Sequence, residues 1–469
     1  MDVVVIGAGP AGVIAAFRAA DLGARTTLVT QQAFGGMAAN DGPVPVRTLA
    51  YAARLLRDAH QLGRYGITVS EPVLDYPGLL GRVREVAADV RSHSALRDQL
   101  DGLGVTVREH AGRARFVAPL AVETETGLRL EGDRVIVCAG GTSRRLPIPG
   151  FELTATHSDA WSLAAVPPSM LVIGAGATGV QVASIFTAFG SRVQLLEAGP
   201  RIIPTEDEDV SAAVAAAFRA QGMEVRESFG TIERFAKTPT GVRMVFSKDG
   251  ALESAEAALA VVAVGWVADT AGLGLAVAGV ETDARGFVQV DAYRQTTAPH
   301  VFAAGDITGR LMLVPQAMED GYAAATNAVQ GPTTTLRSDV APIGSFTDPE
   351  YAQVGLTEAQ ARAAHEVVVE TVRFDESTRT IIDGQTLGFC KLIADRSTSK
   401  LLGCHVVGDR AVEIAQLVAI AMAAGMRVDD LARVPLSFPT YAGILGRAAY
   451  GAARAIDPAL AGAAQHLAG

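Results

Sequence analysis

The chain has 469 residues, 49% of them hydrophobic and 19% charged, with 49 glycines and a formal net charge of −10. That length suits about two to four domains with large cores, and the high apolar content excludes a disordered chain. The acidic balance lacks the basic footprint of a nucleic-acid-binding protein, so no nucleic-acid partner is expected.

Met1 leads directly into an apolar strand pattern, Val3-Val4-Val5-Ile6, which reads as a core strand rather than a signal peptide. Gly7, Gly9 and Gly12 follow in G-x-G-x-x-G spacing, with Pro10 and Ala11 between them, and a helical run continues to about Leu22. In this pattern the first glycine makes a tight turn, and the second lets a pyrophosphate approach the backbone. The third lets helix pack on strand, and the helix amides face the phosphates. A second strand, Arg25 to Val29, comes next and ends at Thr30.

The stretch from Leu49 to Leu62 predicts a helix capped by Gly63, and Arg82 to Leu100 predicts another. The glycine pattern then returns after Met170-Leu171-Val172-Ile173 as Gly174, Gly176 and Gly179, with a following strand at Arg192 to Leu196. One such motif can be an ordinary turn. Two, each between a strand and a helix, predict two bound dinucleotides. The residue closing each second strand usually holds the adenosine ribose. In the second copy it is Glu197, a carboxylate that favours NADH because a 2′-phosphate would meet its charge, although Arg201 lies nearby. In the first copy the same offset falls on Thr30, so one anchor of that nucleotide is replaced or missing.

The apolar run Val412 to Ala424 carries Glu413 and Gln416 and is too short to span a bilayer. Cys138, Cys390 and Cys404 form no C-x-x-C or C-x4-C pair and sit in apolar runs, as inert buried thiols do. A reducing cytoplasm fits this pattern. The Ala-rich tail from Asp457 to Gly469 is expected to fray.

With these motifs in order, the chain resembles the pyridine nucleotide-disulfide oxidoreductases of the lipoamide dehydrogenase, glutathione reductase and mercuric reductase branch. The stretches VIVCAGGTSRRLPIPG (135–150), VVAVGWVADT (261–270), QTTAPHVFAAGD (295–306) and LVPQAMEDG (313–321) match that family's successive motifs. FTDPEYAQVGLTE and LLGCHVVGDRAVEIAQLVAIAM, further on, look like its dimerisation domain. The resemblance implies an α/β fold with two Rossmann-like dinucleotide-binding domains, for FAD and NAD, plus a C-terminal α+β dimerisation domain. The FAD domain would be discontinuous, residues 1–148 and 272–336. The NAD(P) domain would be 149–271, the interface domain 337–469, and the assembly a homodimer. Carried over residue by residue, the flavin side takes Gly36, Met37, Arg47, Ala114, Ala139, Gly140, Leu313 and Ala317, with Asp306 on the ribityl chain. The nicotinamide side takes Gly265.

The resemblance breaks at the chemistry. The family's G-G-T-C-x-N-x-G-C-x-P-S-K reads here from Gly35 to Arg47, with Gly35, Gly36, Asn40, Gly42 and Pro45 kept and Ala38 and Pro43 in place of both cysteines. The family's H-P-T-x-x-E reads Phe438-Pro439-Thr440-Tyr441-Ala442-Gly443, without the His and without the Glu. These losses concur: a base that serves a dithiol has no task once the sulfurs are gone, and no thiolate is left to attack a disulfide. The family's Lys near the flavin becomes Arg47, facing Gln181 where the family has a Glu. Arg47 is therefore expected to be loosely held and able to meet an anion. The gating aromatic of the nicotinamide pocket corresponds to Ala177, which predicts an open face.

What remains is hydride transfer from NADH to FAD and then directly to a small acceptor, such as a quinone, as in quinone reductases of this family. Phe438 and Tyr441 would form an apolar lid over the flavin of the partner subunit. Asp41 and Tyr441 are the nearby groups able to give a proton, though a solvated loop Asp and a packing Tyr are the plainer readings. None of the eight histidines falls in a segment expected at the flavin, and they show no metal-ligand spacing, so all are read as structural or surface residues and no metal is expected. Two other functions fit the same residues: a flavin-dependent dehydrogenase or reductase of one specific metabolite, and a non-catalytic flavoprotein redox sensor.

Overall fold

The computed structural model describes residues 1–92, 95–337 and 340–459. Its first sheet has five parallel strands in the order Val301–Ala303, Arg134–Val137, Asp2–Ile6, Arg25–Val29, Thr106–Arg108. Strands covered on both faces read as continuous apolar runs rather than alternations, which is why Val3, Val4, Val5 and Ile6 are all buried. Val3 and Val5 face a core with Leu28, Ile136 and the alanines of helices Pro10–Asp21 and Val314–Gln330. Val4 and Ile6 face the opposite core, around Phe116, Val135 and Val137.

A second parallel sheet repeats the plan with Glu224–Arg226, Arg192–Leu196, Ser169–Ile173 and Leu259–Val262. Its central strand is buried throughout. In both sheets the register brings the first glycine of the motif to the carboxyl edge: Gly7 N–H donates to Val29 O and Gly174 N–H to Leu196 O, each at 2.8 Å. Doubly wound sheets bind ligands at that edge. A three-stranded antiparallel sheet, Thr231–Thr238, Gly241–Lys248 and Ala251–Ala257, flanks the second unit.

The chain ends in a five-stranded sheet ordered Ile343–Ser345, Tyr351–Gly355, Leu401–Val407, Phe389–Asp395, Val367–Arg373, antiparallel throughout. Helices Ala411–Ala423 and Gly443–Ile456 pack on it. Among the described residues no helix is long and apolar enough to cross a membrane.

Local departures from the sequence reading have simple causes. The helix expected over 49–62 starts six residues earlier, at Pro43, because two prolines suit its first turn. Gly63 is not its cap: the chain tightens into a 3-10 turn, Leu62–Tyr65, whose left-handed stop is Gly66 at φ 74°. The stretch expected as one helix, 82–100, falls in helices Tyr76–Ser92 and Ala95–Gly102, and residues 93–94 lie outside those described. Of the tail expected to fray, residues 460–469 also lie outside the described residues, as do 338–339 near the expected start of the third domain.

Buried charge joins the second unit to the C-terminal sheet. Lys391 Nζ lies 2.9 Å from Asp207, 2.7 Å from Asp209 and 3.1 Å from Glu358. Beside it, the buried Glu206 accepts one hydrogen bond from Gln353, at 3.2 Å, and its other oxygen has no partner. Burial pushes the Glu206 carboxyl up to about 8, with Arg201 pulling it down and Asp207 pushing it up. The folded chain thus holds a proton that the unfolded chain releases, and stability falls as pH rises from 4.5 to about 8. Glu206→Gln removes that penalty. Its stability advantage over the parent in urea melts is expected to grow by on the order of 2 kcal/mol between pH 5 and pH 9; a gap that does not widen refutes the buried carboxyl.

Candidate active site

The carboxyl edges of the two parallel sheets face one continuous cavity of about 1530 Å³, larger than the roughly 300–1000 Å³ of an ordinary small-ligand pocket. At each edge the same backbone device recurs. A Cβ added to Gly12 would lie 1.8 Å from the Gly7 carbonyl oxygen, and one added to Gly179 would lie 1.8 Å from that of Gly174. Neither third glycine lines the cavity; each seats its helix on the preceding strand. A Cβ on Gly9 or Gly176 would instead meet nothing within 4 Å. Those two glycines are also the N-caps of helices Pro10–Asp21 and Ala177–Ala188, which have no side-chain cap, so their first amides are free for an anion. Two such cradles, each with reserved space, fit two dinucleotides.

Around the first cradle the cavity is walled by Gly7, Gly9, Pro10, Ala11, Thr30, Gly36, Met37, Arg47, Ala114, Ala139, Gly140, Asp306, Leu313 and Ala317, which are the expected flavin positions apart from Gly12. Gly36 has φ 56°, and a Cβ there would stand 2.6 Å from Gly9 Cα, so the 35–42 loop lies directly on the phosphate turn. Asp306 begins a 3-10 turn at the end of strand Val301–Ala303. Burial, then repulsion from Asp320, pushes its carboxyl up to about 6. Asp320 is held by Arg294 in a fully buried pair, Nε to Oδ1 at 2.8 Å; breaking such a pair from one side costs about 3–5 kcal/mol.

Around the second cradle lie Gly174, Gly176, Ala177, Gln181, Glu197 and Gly265. Glu197 is fixed by two backbone amides, Ala175 N–H to Oε2 and Gly199 N–H to Oε1, both at 2.8 Å. Arg201 turns away: its guanidinium donates to the carbonyls of Glu206 at 2.8 Å and Pro204 at 2.9 Å.

The expected contact of Arg47 with Gln181 is not made. Gln181 donates to Ala177 O within its own helix, at 3.0 Å. Arg47 lies over the Phe346 ring, with Nη1 buried and unpartnered. Burial draws its guanidinium down to about 10, against Glu350 and Glu413, so it keeps its charge. An orphaned buried cation in the cavity wall suits an anionic or electron-rich guest.

Phe438 and Tyr441 lie outside this cavity. Phe438 is exposed, and the Tyr441 hydroxyl donates to Asp383 at 3.1 Å within the C-terminal unit. The thiols are all buried: Cys390 and Cys404 lie within the C-terminal sheet, and Cys138 lies under the first glycine turn, where burial pushes its thiol far up.

The reading of every histidine as structural or surface fails at one position. His157 lies in the cavity wall with Asp41, Trp161 and Trp266. Its Nε2 is 3.8 Å from Asp41 Oδ2 and its Nδ1 3.3 Å from Ser143 Oγ, while the Ser158 hydroxyl donates to the same Asp41 oxygen. Asp41 is therefore not a freely solvated loop residue. The available signal was Thr156-x-x-Asp159, a capping box that puts His157 at the first helical position; its neighbourhood with residue 41 is purely tertiary.

The family model described as pyridine nucleotide-disulphide oxidoreductase matches residues 1–321, and its dimerisation domain matches 341–449. Dihydrolipoyl dehydrogenase of Zymomonas mobilis is 33% identical over 429 residues, 90% of this chain and 91% of that one. The dihydrolipoyl dehydrogenase of Thermus scotoductus is 33% identical over 451 residues, 94% of each. Among solved structures, LpdA from Mycobacterium tuberculosis superposes with TM-score 0.86 at 26% identity, covering 96% of this chain and 99% of that one. The HOCl-induced flavoprotein disulfide reductase RclA from Escherichia coli gives TM-score 0.84 at 26% identity, with the same coverage.

Because Gly176 adopts an extended backbone, φ −73°, and faces open space, Gly176→Val is expected to fold and keep its flavin. Its Kd for NADH should rise at least about tenfold in fluorescence titration; an unchanged Kd means the second cradle holds no nucleotide.

Proposed function

The chain belongs to the pyridine nucleotide-disulphide oxidoreductase family, flavin enzymes that use FAD and NAD(P)H, and on that premise we propose that it passes reducing equivalents to its acceptor without a sulfur relay. FAD in the first cradle would take hydride from NADH in the second and give it directly to a small non-disulfide acceptor, a quinone foremost. One observation carries this reading. The positions matching the family's dithiol are Ala38 and Pro43, both in the cavity wall; of the chain's thiols, Cys390 and Cys404 are buried in the C-terminal sheet, and Cys138, which also lines the cavity, is buried beneath the first glycine turn, outside the 35–47 segment. Two of the relatives named above are called dihydrolipoyl dehydrogenases and one a flavoprotein disulfide reductase; in this chain the segment 35–47 carries no cysteine.

The chain's own residues have separable tasks in this scheme. The glycine turns and uncapped helix ends receive the pyrophosphates. Asp306, on a rigid turn, is available to a ribityl hydroxyl. Arg47 supplies positive charge in the former dithiol wall. Glu197 would receive the adenosine ribose, and Arg201, which is turned toward the backbone carbonyls of Glu206 and Pro204, is directed away from a 2′-phosphate there. That supports NADH over NADPH, by at least about tenfold in kcat/KM. We assign residues 1–148 and 272–336 to the FAD domain, 149–271 to the NAD domain and 337–469 to the interface of a homodimer, in which Phe438 and Tyr441 would cover the flavin of the partner subunit.

The test is an anaerobic titration of the flavin-loaded protein with NADH. One equivalent is expected to bleach the flavin without the long-wavelength thiolate-flavin band, menadione should restore the colour, and lipoamide should not. Lipoamide turnover, or a thiolate band, overturns the proposal. Colour restored by one metabolite only, out of an acceptor panel, would favour a dedicated metabolite reductase instead.

A further inference from the structure

His157 has the burial of a core residue and the partners of a working one. It starts the helix His157–Ala160, and its ring stands edge-on to Trp266 at 4.9 Å and more distantly to Trp161 at 6.5 Å. Trp266 belongs to the short strand that pairs with Gly141–Ser143, so the ring is clamped where the two nucleotide units join. Both ring nitrogens point to polar atoms: Nδ1 to Ser143, and Nε2 to Ser158 at 3.4 Å and Asp41 at 3.8 Å. Asp41 is partly exposed and directly follows the turn Gly36–Asn40 that lies on the first cradle. A partly exposed carboxylate, a hydroxyl and an imidazole thus run in series into the wall of the cavity.

Burial holds the imidazole below its ordinary value, while the carboxylates of Asp41, from the loop, and Asp159, from its own helix, pull it up. The elements on its other sides present the neutral Ser143 and Trp266. Burial outweighs the two carboxylates, so the neutral ring is favoured and an imidazolium formed there gives up its proton readily.

We propose that His157, with Asp41 held beside it by Ser158, delivers the proton that a carbonyl-bearing acceptor needs when it is reduced in this cavity. This rests on the direct-transfer reading above. A quinone that receives hydride gains two electrons and one proton and is left with one anionic oxygen. The imidazolium N–H bond breaks, the new O–H bond forms on that oxygen, and Asp41 returns a solvent proton to the ring. The sum is NADH, one proton and quinone giving NAD⁺ and hydroquinone. The donor then comes from the same chain that holds the glycine turns, not from the C-terminal segment, which has lost its His and Glu.

Two measurements on the flavin-loaded protein test this. The first is NMR of ¹³C-labelled histidine, with the His157 signal identified by its loss in His157→Gln. Asp41→Asn, a change at a partly exposed side chain, should move the titration midpoint of that signal to lower pH, because it removes a charge that favours the imidazolium. The second is stopped-flow reoxidation of the NADH-reduced protein by menadione, which needs protons, and by ferricyanide, which does not. His157→Gln is expected to slow menadione relative to ferricyanide by about 100-fold. In the parent the menadione rate should fall as pH rises through the His157 midpoint, and in Asp41→Asn it should fall at lower pH. A menadione-to-ferricyanide ratio within about threefold of the parent's in His157→Gln, or a midpoint that does not move in Asp41→Asn, overturns the inference alone. A parent reoxidised by neither reagent overturns the direct-transfer reading, and this inference with it.

Discussion

A contact with no side chain in it governs the architecture: the Cα of Gly12 against the carbonyl of Gly7, and that of Gly179 against Gly174. Backbone touching backbone sets the angle at which each helix leaves its strand, and so where its free amides point. Any Cβ there would push helix from strand. The same closeness continues behind the first unit, where a Cβ on Gly321 would stand 2.1 Å from Ala11 O, so helix Val314–Gln330 rests directly on helix Pro10–Asp21. Alanines fill the rest of that interface, Ala15, Ala19, Ala324 and Ala328 among them. Small residues bring the backbones close, and close backbones hold the cradles rigid.

Charge is arranged around that frame in pairs and clusters. The buried Arg294–Asp320 pair sits under the turn that carries Asp306, and the Asp320 charge is one reason the Asp306 carboxyl is raised. Across the second unit Glu197 is gripped by backbone amides, and Lys391 gathers three carboxylates where that unit meets the C-terminal sheet. Against this background Arg47, with its unpartnered Nη1, and the His157–Asp41 pair stand out, because these residues line the cavity. The cavity wall beside the first cradle carries a guanidinium, an imidazole and a carboxylate.

The glycine spacings, the apolar strands before them and the residues closing each second strand were legible because they are local: a tight turn, a close approach and a helix start each dictate a residue type at a fixed offset. The absence of cysteine from residues 35–47 was legible for the same reason, since Ala38 and Pro43 stand among the glycines and prolines of that short segment. The partners of the polar side chains were not. Gln181 was expected to face Arg47, but a helical glutamine has its own carbonyl four residues back, and it takes that bond. His157 looked unremarkable because the residues that define it come from three places, Asp41 in a loop, Ser143 on a strand and Trp266 on the strand paired with it.

The sequence by itself thus determined the two nucleotide cradles, their order and the cysteine-free 35–47 segment, since backbone conformation and covalent identity are written in runs of neighbouring residues. Only the tertiary structure decided which charges are paired and which are left facing the cavity. That depends on distances between segments more than a hundred residues apart, such as Asp41 and Ser158, which no local pattern encodes.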